Sequence, residues 1–372
     1  MYTWNYTQPV EIIFKAGILS ELDDLLSKRG FSRGILICDN FFVKSGLSKE
    51  AMNNSARLTA MYSDIQPNPT LENVRNCAAA MVAAKAEFVL AIGGGSVLDC
   101  AKIACAIAKS GQQIAKIYAG EEKLSGDTLP MIAVPTTAGT GSEVTAVSVL
   151  NDDARGLKSS VVDPCLFPKL AVIDPALTVS MPPDVTAVTG IDALSHALEG
   201  FWSKNHQPIC DVMALEAARK VFLALPEAFK NGSDIKARTE MCEASLMAGL
   251  AFALPRTAGS HACSYALTTD YGMPHGEACA FTLAAFTRIN ADAENGRLHD
   301  FAKKLGFKDA FAMADRIDEM KKEMGLKYTL QQAGIRKEDL VKLAHSNQHP
   351  NLLNNPVEMS VEKLVEMYET MI

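Results

Sequence analysis

Hydrophobic and polar positions in the first half of the chain alternate between short apolar runs and amphipathic stretches. The apolar runs between Val10 and about residue 180 are VEIIF, GILIC, EFVLAIG, MIAVP and LAVID. Their β-branched residues are typical of strands. The amphipathic stretches GILSELDDLLSKR, LENVRNCAAAMVAAK and SVLDCAKIACAIAK predict helices. Strands that alternate with helices predict an α/β domain with a largely parallel sheet.

The pattern changes after Met181-Pro182-Pro183, where the strand-like runs stop and long helical stretches continue to the C-terminus. A chain of 372 residues is also too long for one simple core. We therefore predict an α/β domain over residues 1–181 and an all-helical domain over residues 182–372.

Composition and charge narrow the functional class. The chain is 48% hydrophobic and 21% charged with a net charge of −7, which argues against nucleic-acid and anionic membrane partners. Nine cysteines without a CxxC pair, several within apolar runs, indicate a reduced, cytoplasmic protein. The N-terminal stretch MYTWNYTQPVEIIF has no signal-peptide pattern, and no segment is apolar enough to cross a bilayer.

Two segments of the helical half, AVTGIDALSHALEGFWS and GSHACSYALTTDYGMPHGEACAF, contain four candidate metal ligands. Asp192 and His196 are four residues apart, so on a helix they share one face. His261 and His275 are fourteen residues apart, and the break at Gly272-Met273-Pro274 would let two helices converge. The other histidines, which lack such geometry, are His206, His299, His345 and His349.

One carboxylate and three imidazoles suit a divalent transition metal, and iron, zinc, cobalt and nickel are all plausible. A histidine considered alone is more simply explained as a partly buried packing residue. The four residues as a set favour a metal site.

The first candidate nucleotide site lies in EFVLAIGGGSVLDCAK, where a strand enters Gly93-Gly94-Gly95 and a helix follows, capped by Ser96. Glycines allow close approach of a phosphate, and a helix N-terminus offers free N–H groups and a positive dipole end. The alternative is a structural turn in which Ser96 and Asp99 form a capping box. The segment is not the GxGxxG fingerprint.

Two further segments could bind a nucleotide. In MIAVPTTAGTGSEVT, a predicted strand is followed by a loop of threonine, serine and glycine residues, which could form hydrogen bonds with a ribose, a phosphate or a carboxamide. The alternative is an ordinary polar loop. Asp39, after GILIC, could accept bonds from the adenosine ribose and repel the 2′-phosphate of NADP, which would select NAD. A simple Asp-Asn turn is its alternative.

GIDALSHALEG followed by GSHACSYALTTDYGMPHGEACA resembles the two signatures of the iron-containing, group III alcohol dehydrogenases, and the resemblance covers nearly the whole chain. It implies a Rossmann-like N-terminal nucleotide-binding domain and an all-α C-terminal metal-binding domain, a dehydroquinate synthase-like architecture. It also implies one catalytic Fe(II), with Zn(II) as an alternative, between the two domains. The implied ligands are Asp192, His196, His261 and His275.

The same resemblance implies an NAD(H) site in residues 1–181. The GGGS turn would hold the pyrophosphate, and PTTAGTGSE would line the nicotinamide half. Asn68 and Lys158 resemble further cofactor contacts. The implied cofactor residues are Asp39, Asn68, Gly94, Gly95, Ser96, Asp99, Thr136, Thr137, Thr140, Ser142 and Lys158.

The chain departs from the family pattern at two places. Many members carry a histidine, proposed to relay protons, where this chain has Tyr265, which could donate a hydrogen bond or only pack. The stretch HPNLLNNPVEMS lacks the Arg that often follows Asn-Pro in the family, so we assign it no role.

Arg256 lies five residues before His261 and is a candidate substrate contact. Its planar donors suit a sulfonate, phosphonate or carboxylate. The segment HACSYALT is similar to the corresponding segment of a family subgroup that reduces short anionic aldehydes such as phosphonoacetaldehyde. A solvated surface Arg is the alternative.

A nucleotide site and a single-metal site together predict hydride transfer by an NAD(H)-dependent alcohol dehydrogenase or aldehyde reductase. The substrate would be a short-chain alcohol or aldehyde, including anionic ones such as sulfoacetaldehyde. The alternatives are a general alcohol or diol dehydrogenase, an enzyme like dehydroquinate synthase or glycerol-1-phosphate dehydrogenase, and a purely structural metal. We expect a homodimer or larger homo-oligomer.

Overall fold

The computed structural model describes residues 3–371, and the chain divides into two compact units. The α/β unit comprises Thr7–Thr137 and Ser142–Thr178. The helical unit comprises Met1–Tyr6, Ala138–Gly141 and Val179–Ile372. The domain boundary between residues 181 and 182 stays a prediction.

Six strands of the α/β unit form one parallel sheet in the order β1-β8-β5-β4-β2-β3, and β6 and β7 form an antiparallel hairpin. All five predicted strands are confirmed. The sequence analysis missed β3, at the sheet edge, and the hairpin, because these strands do not form apolar runs. Buried positions of β6 alternate with partly exposed ones, only the first residue of β3 is buried, and β7 has no buried residue. The strands are β1 (Glu11–Phe14), β2 (Gly34–Ile37), β3 (Leu58–Tyr62), β4 (Phe88–Gly93), β5 (Met131–Pro135), β6 (Val147–Asp152), β7 (Leu157–Val162) and β8 (Leu170–Ile173).

Helices cover the sheet and make up most of the helical unit, and no described residue after Ile173 belongs to a strand, as predicted. The helices of the α/β unit are α1 (Leu22–Lys28), α2 (Asn40–Lys44), α3 (Leu47–Asn53), α4 (Leu71–Ala83), α5 (Gly95–Ser110) and α6 (Ile114–Tyr118). Those of the helical unit are α7 (Pro183–Trp202), α8 (Pro208–Lys230), α9 (Ile235–Phe252), α10 (Gly259–Tyr271), α11 (His275–Ile289), α12 (Ala293–Lys304), α13 (Ala310–Glu323), α14 (Leu330–Ala333), α15 (Leu340–Ser346) and α16 (Val361–Glu369).

Two of the three predicted helices are confirmed as α4 and α5. The third begins as a 3₁₀ turn, Ile18–Glu21, before α1. Among the described residues, no helix is long and apolar enough to cross a membrane. All nine cysteines are free.

The parallel sheet is buried on both faces, which explains the continuous apolar runs of its strands. Successive residues of one strand point to opposite faces. Val89 therefore packs in the cluster that contains α4 and α5, whereas Leu90 packs with α1 and α3 on the other face.

The carboxyl ends of β2, β4 and β5 lie side by side, with Gly93 of β4 opposite Pro135 of β5. The chain runs from β2 outward to β3 and then returns to β4 on the other side of β2. This reversal creates a switch point between β2 and β4, and ligands of open α/β sheets bind outside the carboxyl ends at such points. Asp39 and the Gly93-Gly94-Gly95 turn flank it.

The start of α5 differs from the sequence prediction. Gly94 is the N-cap, without a side-chain cap bond, and Ser96 lies inside the first turn. The prediction that Ser96 caps this helix and forms a capping box with Asp99 is therefore wrong. Asp99 instead accepts hydrogen bonds from Ser142 Oγ at 2.6 Å and from Val149 N at 2.8 Å. It thereby ties α5 to β6 and to the loop that follows β5.

We expect the Asp99→Asn variant to unfold more easily, because an amide group would face one of these two donors. Leaving a buried donor unsatisfied costs about 1–3 kcal/mol, so thermal unfolding should show a lower Tm. Asp153→Asn, an exposed aspartate in the turn after β6, is the control. Equal Tm values for both variants would contradict this role of Asp99.

Candidate functional site

Helix α7 carries a carboxylate and an imidazole on one buried face. Asp192 and His196 are 2% and 5% exposed, and His196 Nδ1 lies 3.9 Å from Asp192 Oδ2. The predicted sharing of one helix face is confirmed. Because the surrounding residues of α7 are almost all buried, these polar groups need partners inside the protein.

The predicted break between α10 and α11 is confirmed. Gly272, with φ of 63°, ends α10, and His275 is the first residue of α11. The rings of His261 and His275 come within 5.7 Å of each other, so two helices converge as expected. A Cβ atom at Gly276 would lie 2.3 Å from the carbonyl oxygen of Val188, so glycine allows α11 to start directly against α7.

The rings of His196 and His261 are both fixed through Nδ1. His196 Nδ1 contacts the carbonyl oxygen of Gly139 at 3.2 Å, and His261 Nδ1 contacts Glu199 Oε2. Their Nε2 atoms then face each other at 3.0 Å. Burial lowers the pKa of His196 to about 4, so this ring is neutral near pH 7. A neutral ring that donates through Nδ1 has a lone pair on Nε2 for a metal.

Asp192 Oδ1 is buried and has no hydrogen-bond partner within residues 3–371. It lies 3.7 Å from His261 Nε2. A buried carboxylate oxygen beside imidazole lone pairs is unfavourable unless a cation balances it. The donor set and this orphaned oxygen therefore fit a divalent metal ion, and Asp192, His261 and His275 form a metal site.

Cys279 joins these three residues in one group, whose donor atoms all lie within 4.8 Å of one another. Sequence reasoning missed Cys279, although it follows His275 by four residues, the spacing that identified Asp192 and His196. His196 touches His261 but is not part of this group, so its role as a ligand stays a prediction.

Glu199 is a second residue beside the candidate metal ligands that the sequence analysis did not identify. It is fully buried on α7, accepts hydrogen bonds from the backbone N–H groups of Ser260 at 2.7 Å and His261 at 3.2 Å, and contacts the His261 ring. Burial lowers the pKa of His261, but Cys279 and Glu199 raise it well above its ordinary value. A carboxylate on Nδ1 makes Nε2 a stronger ligand. The sequence does contain a signal for Glu199, because it is a single glutamate within an otherwise apolar helical stretch.

Three predicted cofactor residues are linked by hydrogen bonds in the α/β unit. Lys158 Nζ donates to Asn68 Oδ1 at 3.0 Å, and the backbone N–H of Asn68 donates to Ser96 Oγ at 3.2 Å. A Cβ atom at Gly94 would lie 3.3 Å from Thr137 Cγ2, so the glycine turn also adjoins the loop after β5.

The other predicted cofactor residues lie at several separate points of the structure. Asp39 is the N-cap of α2, and its Oδ1 accepts a hydrogen bond from the N–H of Phe42 at 2.8 Å. Thr136 N–H bonds the carbonyl of Gly93, which keeps this loop beside the turn where Gly95 begins α5. Thr140 belongs to the helical unit. Asp99 and Ser142 bond each other, so direct cofactor contact by either stays a prediction.

Arg256 lies in the loop between α9 and α10 with a left-handed φ of 71°. Burial lowers the pKa of its guanidinium, whereas Tyr265 nearby raises it. No aspartate or glutamate of the described chain forms an ion pair with Arg256. The ring of Tyr265 stacks on His349 with centroids 4.2 Å apart. Tyr265 follows His261 by one helical turn, so both project from the same face of α10.

The stretch HPNLLNNPVEMS, to which the sequence assigned no role, holds this loop. Asn354 Nδ2 donates to the carbonyl oxygens of Pro255 at 2.8 Å and Thr257 at 3.1 Å. Asn351 Nδ2 donates to Thr257 Oγ1 at 2.9 Å. These bonds fix the backbone on both sides of Arg256.

Comparisons with family models, with curated sequences and with solved structures all find alcohol dehydrogenases or aldehyde reductases. The family described as "Iron-containing alcohol dehydrogenase" matches residues 9–175, and the "Fe-containing alcohol dehydrogenase family, C-terminal" matches residues 186–372. Alcohol dehydrogenase 4 of Schizosaccharomyces pombe is 32% identical over 366 residues, 96% of this chain and 86% of the relative. Lactaldehyde reductase of Escherichia coli is 30% identical and covers 96% of each chain. The structure of sulfoacetaldehyde reductase from Bifidobacterium kashiwanohense in complex with NAD+ is similar with a TM-score of 0.97 and 45% identity, and covers 100% of this chain and 99% of that one.

We expect Glu199→Gln to weaken metal binding about 10- to 100-fold, because a neutral amide no longer holds the His261 ring or polarises it. Equilibrium dialysis against a metal buffer would measure the affinity. Asp184→Asn, at the exposed first turn of the same helix, is the matched control. Unchanged affinity in Glu199→Gln would show that Glu199 only caps α10.

Proposed function

Because the chain belongs to the iron-containing alcohol dehydrogenase family, we propose that it reduces a short aldehyde carrying an anionic group, such as sulfoacetaldehyde or phosphonoacetaldehyde, with NADH. Membership in this family argues against the dehydroquinate synthase-like alternative. The single observation that carries the substrate assignment is the half-buried Arg256, which forms no ion pair with an acidic residue of the described chain.

Binding of NAD(H) is supported by the carboxyl edge of the sheet and by the relative that was solved with NAD+. NADH would supply the hydride. The N–H groups of Gly95 and Ser96 at the start of α5 are suited to the pyrophosphate. The linked side chains of Asn68 and Lys158 adjoin this turn and offer donors to the phosphates or riboses.

The metal ligands would be Asp192, His196, His261 and His275, and the ion would be Fe(II) or Zn(II). When bound, such an ion supplies Lewis-acid activation of the substrate oxygen. The residues of this chain prepare the site: Glu199 and the carbonyl of Gly139 hold two rings in the tautomer that directs Nε2 inward. Asp192 contributes the negative charge that offsets part of the charge of the ion.

A half-buried guanidinium without a carboxylate partner is less well solvated than a surface one, and this desolvation lowers its pKa. A substrate anion would provide this compensation. The flat donor array of Arg binds two oxygens of a sulfonate or phosphonate at once, and such charge-assisted bonds are the stronger kind. Tyr265 acts electrostatically on Arg256 and lies one helical turn after His261. This supports a position of Arg256 close to a substrate held at the metal site.

We predict that kcat/KM for sulfoacetaldehyde or phosphonoacetaldehyde exceeds that for propanal. Arg256→Ala should reduce this preference by ~1.5–3 kcal/mol, or ~10- to 150-fold, because a charge-assisted bond is lost. Arg256→Lys should restore part of it, since the charge returns without the planar donors.

The control is Arg316→Ala, which removes an arginine that already pairs with Glu319 and Glu323. Equal efficiency toward propanal and both anions, unchanged in Arg256→Ala, would leave a general short-chain alcohol dehydrogenase. The substrate assignment would then be wrong, whereas the NADH and metal assignments would stand.

We also predict a preference for NADH over NADPH through Asp39, whose carboxylate would repel the 2′-phosphate. Asp39→Ser keeps a side chain that can cap α2 but removes the charge. The ratio of kcat/KM for NADH to that for NADPH should fall at least ~10-fold. Asp127→Ser, an exposed position before the amino end of β5, should leave it unchanged. A wild-type protein that uses NADPH as well as NADH would refute the idea.

A further inference from the structure

Cys279 is a fully buried cysteine on α11, one turn after His275. Its Sγ lies 3.9 Å from Nδ1 and 3.8 Å from Nε2 of His275. The same sulfur lies within 4.8 Å of donor atoms of Asp192 and His261. Sulfur, nitrogen and oxygen donors therefore surround one small volume.

These separations are close to those around a single ion. Zinc-like ions bind nitrogen and oxygen at about 2.0–2.2 Å and sulfur at about 2.3 Å, so tetrahedral neighbours stand roughly 3.3–3.6 Å apart. The distances of 3.8 Å from Cys279 Sγ to His275 Nε2 and 3.7 Å from Asp192 Oδ1 to His261 Nε2 are only slightly longer.

A second, independent observation points to a cation in this volume. Asp192 is 2% exposed, and its Oδ1 lacks any hydrogen-bond partner in the part of the chain that the structure describes. Cys279 thus lies beside a buried carboxylate oxygen that no hydrogen bond satisfies, and its sulfur is grouped with three other donors.

We propose that Cys279 is an additional ligand, through a thiolate sulfur, of the ion held by Asp192, His261 and His275. The thiol proton is released to solvent when the ion binds, as metal ligation by cysteine requires. A sulfur donor favours the softer ions, zinc and cobalt, over magnesium and manganese. The inference rests on the metal site of the proposed function and is independent of its substrate.

Cobalt(II) added to the metal-free protein at one equivalent tests this, because a cobalt–thiolate bond gives a near-ultraviolet charge-transfer band and any bound cobalt gives weaker visible bands. The variants are Cys279→Ser and Cys279→Ala. The matched control is Cys263→Ala, an equally buried cysteine on α10 whose sulfur faces Tyr368. Thermal unfolding of each metal-free variant checks that it folds.

We expect the charge-transfer band in the wild type and in Cys263→Ala, and its loss in both Cys279 variants while the visible bands remain. Cobalt affinity, measured by chelator competition, should fall at least ~10-fold in the Cys279 variants. A wild type that shows only visible bands would overturn the sulfur ligand and leave the site of Asp192 and the histidines intact. A band that persists in folded Cys279→Ser would overturn it as well. A wild type that binds no cobalt at all would overturn the metal site itself.

Discussion

The buried carboxylate of Asp192 is the constraint on which the helical unit depends. An ionised oxygen without a partner in an apolar setting costs several kcal/mol unless a cation lies beside it. Three helices therefore bring imidazole rings to one point beside this carboxylate, and small residues make this approach possible. Gly276 lets α11 start against α7, because a Cβ atom there would lie 2.3 Å from the carbonyl oxygen of Val188. Close packing of these helices is thus needed to bring the metal ligands together.

The orientation of the rings depends on groups that never face the ion. Glu199 receives the Nδ1 contact of His261 and also satisfies two N–H groups at the start of α10, which would otherwise be orphaned. The Gly139 carbonyl contacts Nδ1 of His196, and a Cβ atom at Gly139 would lie 2.6 Å from the carbonyl oxygen of Thr189. Gly139 therefore fixes the orientation of the His196 ring, which in turn touches the ring of His261.

Local features of the chain were predictable from sequence, and contacts between distant segments were not. The i,i+4 spacing placed Asp192 beside His196, and Gly272 with Pro274 marked the helix break, because both depend only on helix geometry. Glu199 meets His261 across 62 residues, and Asn354 meets Pro255 across 99. No periodicity encodes such pairs. The capping rule failed at Ser96 for a related reason, since Gly94 takes the cap and Asp99 bonds groups more than forty residues away.

The loop of Arg256 shows how the fold supports a costly arrangement. A non-glycine residue in the left-handed region costs about 1–3 kcal/mol and persists only when its surroundings fix it. Asn354 and Asn351 provide this support through bonds to Pro255 and Thr257. A backbone fixed in this way does not have to be ordered when a ligand binds to the loop, so less binding energy is lost to ordering the chain. Asn354, far away in sequence, thus supports both the strained backbone and the fixed position of the Arg256 Cα atom.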